Sequence, residues 1–310
     1  MVMILTSSDS PSARRKRKIP VLVAFFAAVL GTACALPASA LAASASGVAS
    51  ASESVEGQTG TPGGAARGEP ALAGDWVEVF ADNGRNASKF DKNWHVWGTN
   101  HTITHSKLGM RVQSGPTYRD ADRIALFAKA EVGTPDVRVQ YDYTKNDTFC
   151  GPACPANRTG LASMLLMSIS GTGTTIPIDP TTTTVAAPSL ALINQNLNGL
   201  RITYSTAWNE TNPSLNNQVR LHLVPGNIEV DPPSANDFVF TPGVIYRVIW
   251  EKVGDTLSVS VTNRQTGEVL THSFTHPDIA AKAGQRVALY QMPIRDATYA
   301  HITIWERKHQ

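Results

Sequence analysis

The sequence predicts an all-β protein, a two-sheet antiparallel sandwich of the jelly-roll type. No long segment repeats its apolar residues with the 3.6-residue period of a helix. Many short runs instead alternate apolar and polar residues and are separated by turn residues. About a dozen such runs fit into the 235 residues from 76 to 310, which is too many for a small immunoglobulin-like domain.

The N-terminal residues 1–42 have the features of a secretory signal peptide. The basic cluster Arg14–Lys18 precedes the uncharged stretch Ile19–Leu36, and the small residues that follow predict cleavage after Ala40 or Ala42. The uncharged stretch is also just long enough for a membrane anchor, and the two leading arginines leave a twin-arginine route open. We expect cleavage and a secreted protein that has no membrane contact afterwards.

Charge gives no sign of a nucleic-acid partner. The chain carries 27 basic and 25 acidic residues, and loss of residues 1–42 leaves 22 basic and 24 acidic ones. Such a near-neutral chain lacks the basic field that nucleic-acid binding requires.

Residues 43–75 are predicted to be a linker between the signal peptide and the sandwich. They are rich in Ala, Ser and Gly and contain almost no large apolar side chain. Such a stretch buries too little surface to offset its ordering entropy. The sandwich domain is therefore assigned to residues 76–310, and we expect it to be monomeric.

Cys150 and Cys154 are the only cysteines that remain after signal cleavage. An even number of cysteines in an exported chain predicts a disulfide. The intervening Gly151-Pro152-Ala153 allows a tight local loop. Redox-active pairs usually have two residues between their cysteines, so a structural bridge is the favoured interpretation.

The individual strands are predicted from alternation and from the turns between them. Residues 159–170 are a more continuous apolar run and predict a strand that is buried on both faces. Residues 171–189 are predicted to be a loop or lid, and 278–284 a short helix. The alternating strands are predicted at 137–143, 200–206, 218–224, 244–253, 256–262, 268–274, 286–292 and 298–306.

Three segments carry a resemblance to a known family: the hairpin 243–262 with Thr266-Gly267 in its next turn, the final strand 299–305, and the opening residues 90–94 with 109–112. They resemble the concanavalin A-like lectin/glucanase superfamily, and the likeness covers most of 76–310. It implies a sandwich of two curved sheets whose concave face often holds a glycan. It does not choose between a lectin, a glycoside hydrolase and a polysaccharide lyase.

Several catalytic and metal-binding patterns are absent from the sequence. It has no E-x-D-x-x-E strand, no H-E-x-x-H, no P-loop, no G-x-G-x-x-G and no G-x-S-x-G. His95, His101 and His105 lack a carboxylate partner at ligand spacing, so we predict no metal site and no cofactor. Loop Asp and Asn oxygens leave a structural calcium open.

Alternation directs the polar side chains of three strands away from their apolar faces. If these strands belong to one sheet, the polar side chains form a single open face that suits an anionic sugar. This predicted face consists of Arg138, Gln140, Asp142, Arg201, Arg220 and His222.

A uronate lyase would assign roles to that face. The chemistry needs groups that neutralise a carboxylate, a base for the adjacent proton, and an acid for the leaving oxygen. His222 is the candidate base, Tyr290 or Tyr204 the candidate acid, and Asp142 a further catalytic candidate. The neutralising candidates are Gln140, Arg201 and Arg220.

Trp208 lies in a polar loop with Asn209 and Glu210, where an indole can stack on a sugar ring.

The function predicted first is a secreted enzyme that acts on an extracellular polysaccharide, a lyase or a glycoside hydrolase. The alternatives are a non-catalytic, lectin-like glycan-binding module and a cell-surface structural domain.

Overall fold

A computed structural model describes residues 75–117, 119–146, 164–204, 217–235 and 237–308. The three helices there are α1 (Phe90–Asn93), α2 (Leu190–Asn196) and α3 (Pro277–Ala280). None of these helices is long and apolar enough to cross a bilayer. The strands are β1 (Trp76–Asp82), β2 (Trp94–Trp97), β3 (His101–Ser106), β4 (Gly109–Ser114), β5 (Ile124–Ala128), β6 (Val137–Lys145), β7 (Met164–Gly171), β8 (Leu197–Tyr204), β9 (Val219–Val224), β10 (Ile228–Val230), β11 (Ile245–Val253), β12 (Thr256–Asn263), β13 (Val269–Thr275), β14 (Arg286–Gln291) and β15 (Asp296–Arg307).

The strands form two antiparallel sheets. The first sheet has the order β13-β12-β11-β6-β15-β4-β3, with β1 also paired to β15. The second sheet has the order β10-β9-β8-β7-β14-β5-β2. Apolar residues of both sheets, such as Val139 and Trp250 of the first and Leu200 and Leu221 of the second, belong to one buried core. The predicted two-sheet antiparallel sandwich is confirmed.

Alternation sets which side chains of a strand enter this core. On β6, Val139, Tyr141 and Tyr143 are buried within it, and the Tyr141 hydroxyl accepts a hydrogen bond of 3.1 Å from Trp250 Nε1. The predicted β11–β12 hairpin forms, and Gly254 in its turn takes a φ of +56°, which a residue without a side chain adopts without strain.

Strand β7 is buried on both faces, as its continuous apolar run predicts. Leu165 and Met167 belong to the core between the sheets. Leu166 and Ile169 belong to a second apolar cluster, on the outer face of the second sheet. The outer face of this sheet is therefore not uniformly polar.

Two element predictions need correction. Residues 90–94, whose resemblance to the first strands of the superfamily implies a strand, begin as helix α1, and strand β2 starts only at Trp94. Helix α3 is shorter than the predicted 278–284 and ends at Ala280. It starts after His276, whose side chain accepts a hydrogen bond from Asp278 N.

Candidate functional site

The six residues predicted to share one face lie on two different sheets. Arg138, Gln140 and Asp142 are on β6 of the first sheet, whereas Arg201 is on β8 and Arg220 and His222 are on β9 of the second. The prediction of a single six-residue face is therefore wrong. Alternation determines which side of its own strand a residue takes, but it does not determine which sheet the strand joins.

On the first sheet, two of the three predicted site residues form cross-strand ion pairs, and the third, Gln140, lies opposite Ile249 and Thr303. Asp142 lies opposite Arg247, and Arg138 lies opposite Glu251. Arg247 donates to both Asp142 oxygens, at 2.8 and 3.1 Å, and Arg138 Nη1 lies 3.2 Å from Glu251 Oε2. Both residues thus have a cross-strand partner, although Arg138 Nε has no hydrogen-bond partner of its own. The position of β6 in the first sheet separates Asp142 from His222.

On the second sheet, polar side chains from three adjacent strands and one turn form a patch. Glu229 lies opposite His222, and His222 lies opposite Arg201. In the next row Arg220 lies opposite Thr203. We call this set the polar patch, and its members are Arg201, Thr203, Arg220, His222, Asn227 and Glu229.

The contacts within the polar patch satisfy only some of the hydrogen-bonding groups of its side chains. Arg220 Nη1 lies 3.4 Å from Glu229 Oε1, and His222 Nε2 lies 3.9 Å from Glu229 Oε2. Arg201 Nη2 donates a hydrogen bond to Asn227 Oδ1. Glu229 is thus the carboxylate beside the imidazole and Arg220, and its charge also acts on Arg201.

Several buried polar atoms of the patch have no hydrogen-bond partner. They include Arg201 Nε, Thr203 Oγ1 and Arg220 Nε. His222 Nδ1 belongs to the same group. Most buried polar groups in proteins are hydrogen-bonded, so several exceptions on neighbouring strands indicate a surface that is completed by something else.

The electrostatics of the patch keep His222 neutral. Burial, and then the charges of Arg201 and Arg220, lower the pKa of His222 to about 3. Burial also lowers the pKa of Arg201 to about 10, which leaves the guanidinium charged at neutral pH. The patch therefore presents two cations, one carboxylate and a neutral imidazole.

The rest of the same outer face is covered by the connection between β7 and β8, residues 172–196, which we call the covering segment. Its Ile176, Val185 and Ile193 pack with Trp97 and Phe127 of the sheet in the second apolar cluster. The predicted loop or lid over residues 171–189 is thus a packed cover. The polar patch lies on the other side of this face, where Arg201 and Thr203 are buried and Arg220 and Glu229 are partly exposed.

Hydrogen bonds hold the covering segment on the sheet. Trp97 Nε1 donates to the carbonyl of Thr183 at 2.7 Å, and His95 Nε2 lies 2.7 Å from the same oxygen. The Tyr290 hydroxyl donates to the carbonyl of Pro188 at 2.7 Å.

Neither tyrosine predicted to act as an acid is presented to a ligand. Tyr290 is fully buried beneath the covering segment, and burial raises the pKa of its hydroxyl. Tyr204 points into the core between the sheets, where its hydroxyl lies 3.4 Å from the backbone nitrogen of Phe240. The described residues therefore place no tyrosine acid beside His222.

Two other predictions concern a metal site and residues outside the described ranges. Within the described ranges, no group of three His, Cys, Asp or Glu side chains is arranged to hold a metal ion. Trp208, Cys150, Cys154 and the signal peptide lie outside the described residues.

Comparison with known proteins identifies the fold. No protein-family model and no curated protein matches the sequence. A Bacillus subtilis protein of unknown function with a galectin-like fold has 14% identity over 75% of this chain and 98% of its own, with a TM-score of 0.52. The basic winged bean lectin, solved with Tn-antigen, has 10% identity over 74% of this chain and 98% of its own, with a TM-score of 0.51. The chain has a concanavalin A-like jelly-roll fold.

A second winged bean protein shares this concanavalin A-like fold. The acidic lectin, solved with methyl-α-D-galactose, has 10% identity over 74% of this chain and 98% of its own, with a TM-score of 0.50. At such identities the likeness is one of fold alone. The site has to be argued from the side chains of this chain.

Within the concanavalin A-like sheet, sequence analysis missed two members of the polar patch, Asn227 and Glu229. Both follow Pro225-Gly226, a turn signal directly after the predicted strand 218–224. Extending the hairpin beyond this turn would have placed Glu229 opposite His222, where the structure has it.

Proposed function

We propose that this chain is a glycan-binding protein and that the ligand binds at the polar patch. The observation that carries the proposal is the group of buried, unpartnered polar atoms on the outer face of the second sheet. A sugar offers many hydroxyl groups that donate and accept hydrogen bonds. Those hydroxyls would satisfy the free nitrogen atoms of Arg201 and Arg220 and the hydroxyl of Thr203.

The shape of the face supports this assignment. The covering segment fills the side formed by β2, β5, β14 and β7, and it leaves the polar side chains of β8, β9 and β10 as a bounded surface. The two winged bean lectins with the same fold were solved with a galactoside and with Tn-antigen. A glycan ligand is the class that fits both observations.

The test is a glycan-binding panel with Arg220→Ala and a matched control. Arg138→Ala removes an arginine of the first sheet that also has a glutamate partner, with side chains 17% and 34% exposed against 23% and 32% for Arg220 and Glu229. We expect Arg220→Ala to weaken binding about tenfold or more and Arg138→Ala to leave it unchanged. Equal binding by the two variants would contradict the proposal.

A polysaccharide lyase is the second candidate function. The observation in its favour is the neutral imidazole of His222 next to the Arg201 guanidinium, an arrangement of a base and a neutralising group. It ranks below binding because Asp142 lies on the other sheet and the Tyr290 hydroxyl donates a hydrogen bond to the carbonyl of Pro188. A pKa as low as about 3 also makes His222 a weak base.

A retaining glycosidase is less favoured still, because it needs two carboxyl groups about 5–5.5 Å apart. The polar patch has one, Glu229. A polysaccharide panel read by ultraviolet absorbance and by reducing-end release separates these activities. A lyase produces both signals, a hydrolase produces only new reducing ends, and a binding protein produces neither.

We further propose that the chain is exported and that Cys150 is bonded to Cys154. N-terminal sequencing of secreted material should start near Leu41 or Ala43, and an intact residue 1 would contradict export with cleavage.

For the disulfide, mass spectrometry without reduction should find no alkylatable thiol at Cys150 or Cys154. Two free thiols in secreted protein would contradict the disulfide.

A further inference from the structure

The polar patch has an excess of positive charge. Its ionised groups are Arg201, Arg220 and Glu229, because His222 is neutral at neutral pH. Glu229 lies against Arg220 at 3.4 Å. In the part of the chain that the structure describes, the Arg201 guanidinium has no carboxylate at ion-pair distance. Its hydrogen-bond partner is the Asn227 amide, and the charge of Glu229 acts on it from beyond ion-pair distance.

Arg201 holds this charge in a buried position. The residue is 3% exposed, and its Nε has no hydrogen-bond partner. A buried charge is unfavourable unless a counter-charge and hydrogen bonds compensate it. An arginine side chain cannot relieve this cost by losing its proton at neutral pH. The stable complement of this position is therefore an anion.

The strand register brings the second guanidinium near the same place. Arg201 lies opposite His222, and Arg220 lies opposite Thr203, one row along the same pair of strands. The two arginines are thus diagonal neighbours on adjacent strands, at a Cα separation of about 7–8 Å, which long side chains bridge. Each has a buried Nε that no group satisfies.

An anionic group between these side chains would receive hydrogen bonds from both. The planar guanidinium fork matches the oxygens of a carboxylate or a sulfate, and such charge-assisted bonds are stronger than neutral ones. The neighbours of the arginines suit this arrangement. Asn227 orients Arg201, Glu229 orients Arg220, and the neutral His222 adds no third charge.

Building on the proposed glycan-binding function, we propose that the ligand is an acidic sugar whose carboxylate or sulfate group binds between Arg201 and Arg220. This specifies the ligand class of the polar patch. The other polar atoms of the patch that lack a hydrogen-bond partner, Thr203 Oγ1, His222 Nδ1 and Glu229 Oε1, are then available to the hydroxyl groups of the same sugar.

The test compares acidic polymers with neutral counterparts of the same backbone. The probes are polygalacturonate against its fully methyl-esterified form, and dextran sulfate against dextran, with the exported chain. We expect wild type to bind one acidic polymer at least about tenfold more tightly than its neutral counterpart. The first pair reports carboxylate recognition, and the second reports sulfate recognition.

The variants separate this site from general surface charge. Arg201→Gln should abolish the acidic preference, and Arg220→Gln, at a more exposed position, should lower it in a variant whose folding is less at risk. Arg138→Gln on the first sheet removes the same charge from the opposite sheet and should keep the preference. Thermal unfolding of each variant establishes that it is folded.

The outcomes distinguish failure of the acidic-ligand proposal from failure of the glycan-binding function. Equal affinity for acidic and neutral polymers, still dependent on Arg220, would overturn the acidic ligand and leave the glycan-binding function standing. An acidic preference that Arg138→Gln lowers as much as Arg201→Gln would also overturn it. A wild-type protein that binds none of these polymers, nor any glycan of the panel, would contradict the proposed function itself.

Discussion

The outer faces of the two sheets use similar residues in different ways. On the first sheet, Arg138 and Arg247 each lie directly opposite a carboxylate on the neighbouring strand. On the second sheet, Arg201 lies opposite His222 on one side and Leu166 on the other, so no carboxylate lies opposite it. The comparison shows that the partner across the strand, and not the residue type, distinguishes a structural surface from a candidate binding surface.

The second-sheet face also differs in having a cover. Trp97 on this face is fully buried by the covering segment, whereas Trp305 on the first-sheet face is half-buried, with the Arg138 guanidinium 5.7 Å from its ring centroid. One face is thus divided into an apolar, packed side and a polar side that contains the polar patch. The other is an ordinary solvated surface of cross-strand pairs.

The largest difference between the faces is expected for their tryptophans. Trp97→Ala removes a ring that packs on Phe127 at a centroid distance of 4.6 Å, along with the hydrogen bond to Thr183. We expect a loss of about 3–5 kcal/mol in the free energy of unfolding, measured with urea. Trp305→Ala should cost about 1 kcal/mol or less. Equal losses would show that the covering segment is not packed as described.

A smaller contrast is expected for the arginines. Arg247→Met leaves the buried Asp142 without the guanidinium that contacts both of its oxygens, and we expect a cost of about 1–3 kcal/mol in unfolding free energy. Arg201→Met leaves no carboxylate without its ion-pair partner. The free energy of unfolding should therefore fall by no more than about 0.5 kcal/mol, or should rise. A large loss for Arg201→Met would indicate that this arginine has a structural role.

The pH dependence of stability gives a third measurement, on His222. Its folded pKa of about 3 lies below the unfolded value of about 6.5, so between these values the unfolded chain binds a proton that the folded chain does not. This group therefore makes stability fall as pH decreases below about 6.5, by up to about 1.4 kcal/mol per pH unit. Urea unfolding at several pH values should show a weaker dependence in His222→Gln than in wild type. Parallel curves would contradict the burial of a neutral His222.

The smallest expected effect concerns the matched ion pairs. Arg138–Glu251 and Arg220–Glu229 have separations of 3.2 and 3.4 Å and similar exposure, so double-mutant cycles should assign each about 0.2–1 kcal/mol of coupling in unfolding. The two pairs should therefore be equal in stability and differ in glycan binding. A much stronger coupling for Arg220–Glu229 would indicate that this pair is structural.

Much of the fold was accessible from alternation and turns. The strands predicted at 244–253 and 256–262 occur as β11 and β12, each displaced by one residue at one end. Strand β5 was not predicted. All of its residues are buried, because one face lies on the core and the other under the second apolar cluster, so its sequence carries no alternation.

The candidate site was accessible only in part. Arg201, Arg220 and His222 were predicted together, and the structure places them together, because all three alternate with buried residues on neighbouring strands. Arg138, Gln140 and Asp142 show the same alternation on β6 and belong to the other sheet. Tyr290 was predicted from its residue type, and its enclosure depends on a segment about a hundred residues earlier in the chain.

The sequence by itself determined the class of fold and the side of its own strand on which each residue lies, because backbone pleating and apolar burial act over a few neighbouring residues. Only the tertiary structure decided which strands became neighbours. Strand β6 pairs with β11 and β15, which follow it by about a hundred residues or more, and no local pattern encodes such a partner. Whether an outward arginine meets a carboxylate or is left for a ligand follows from that pairing.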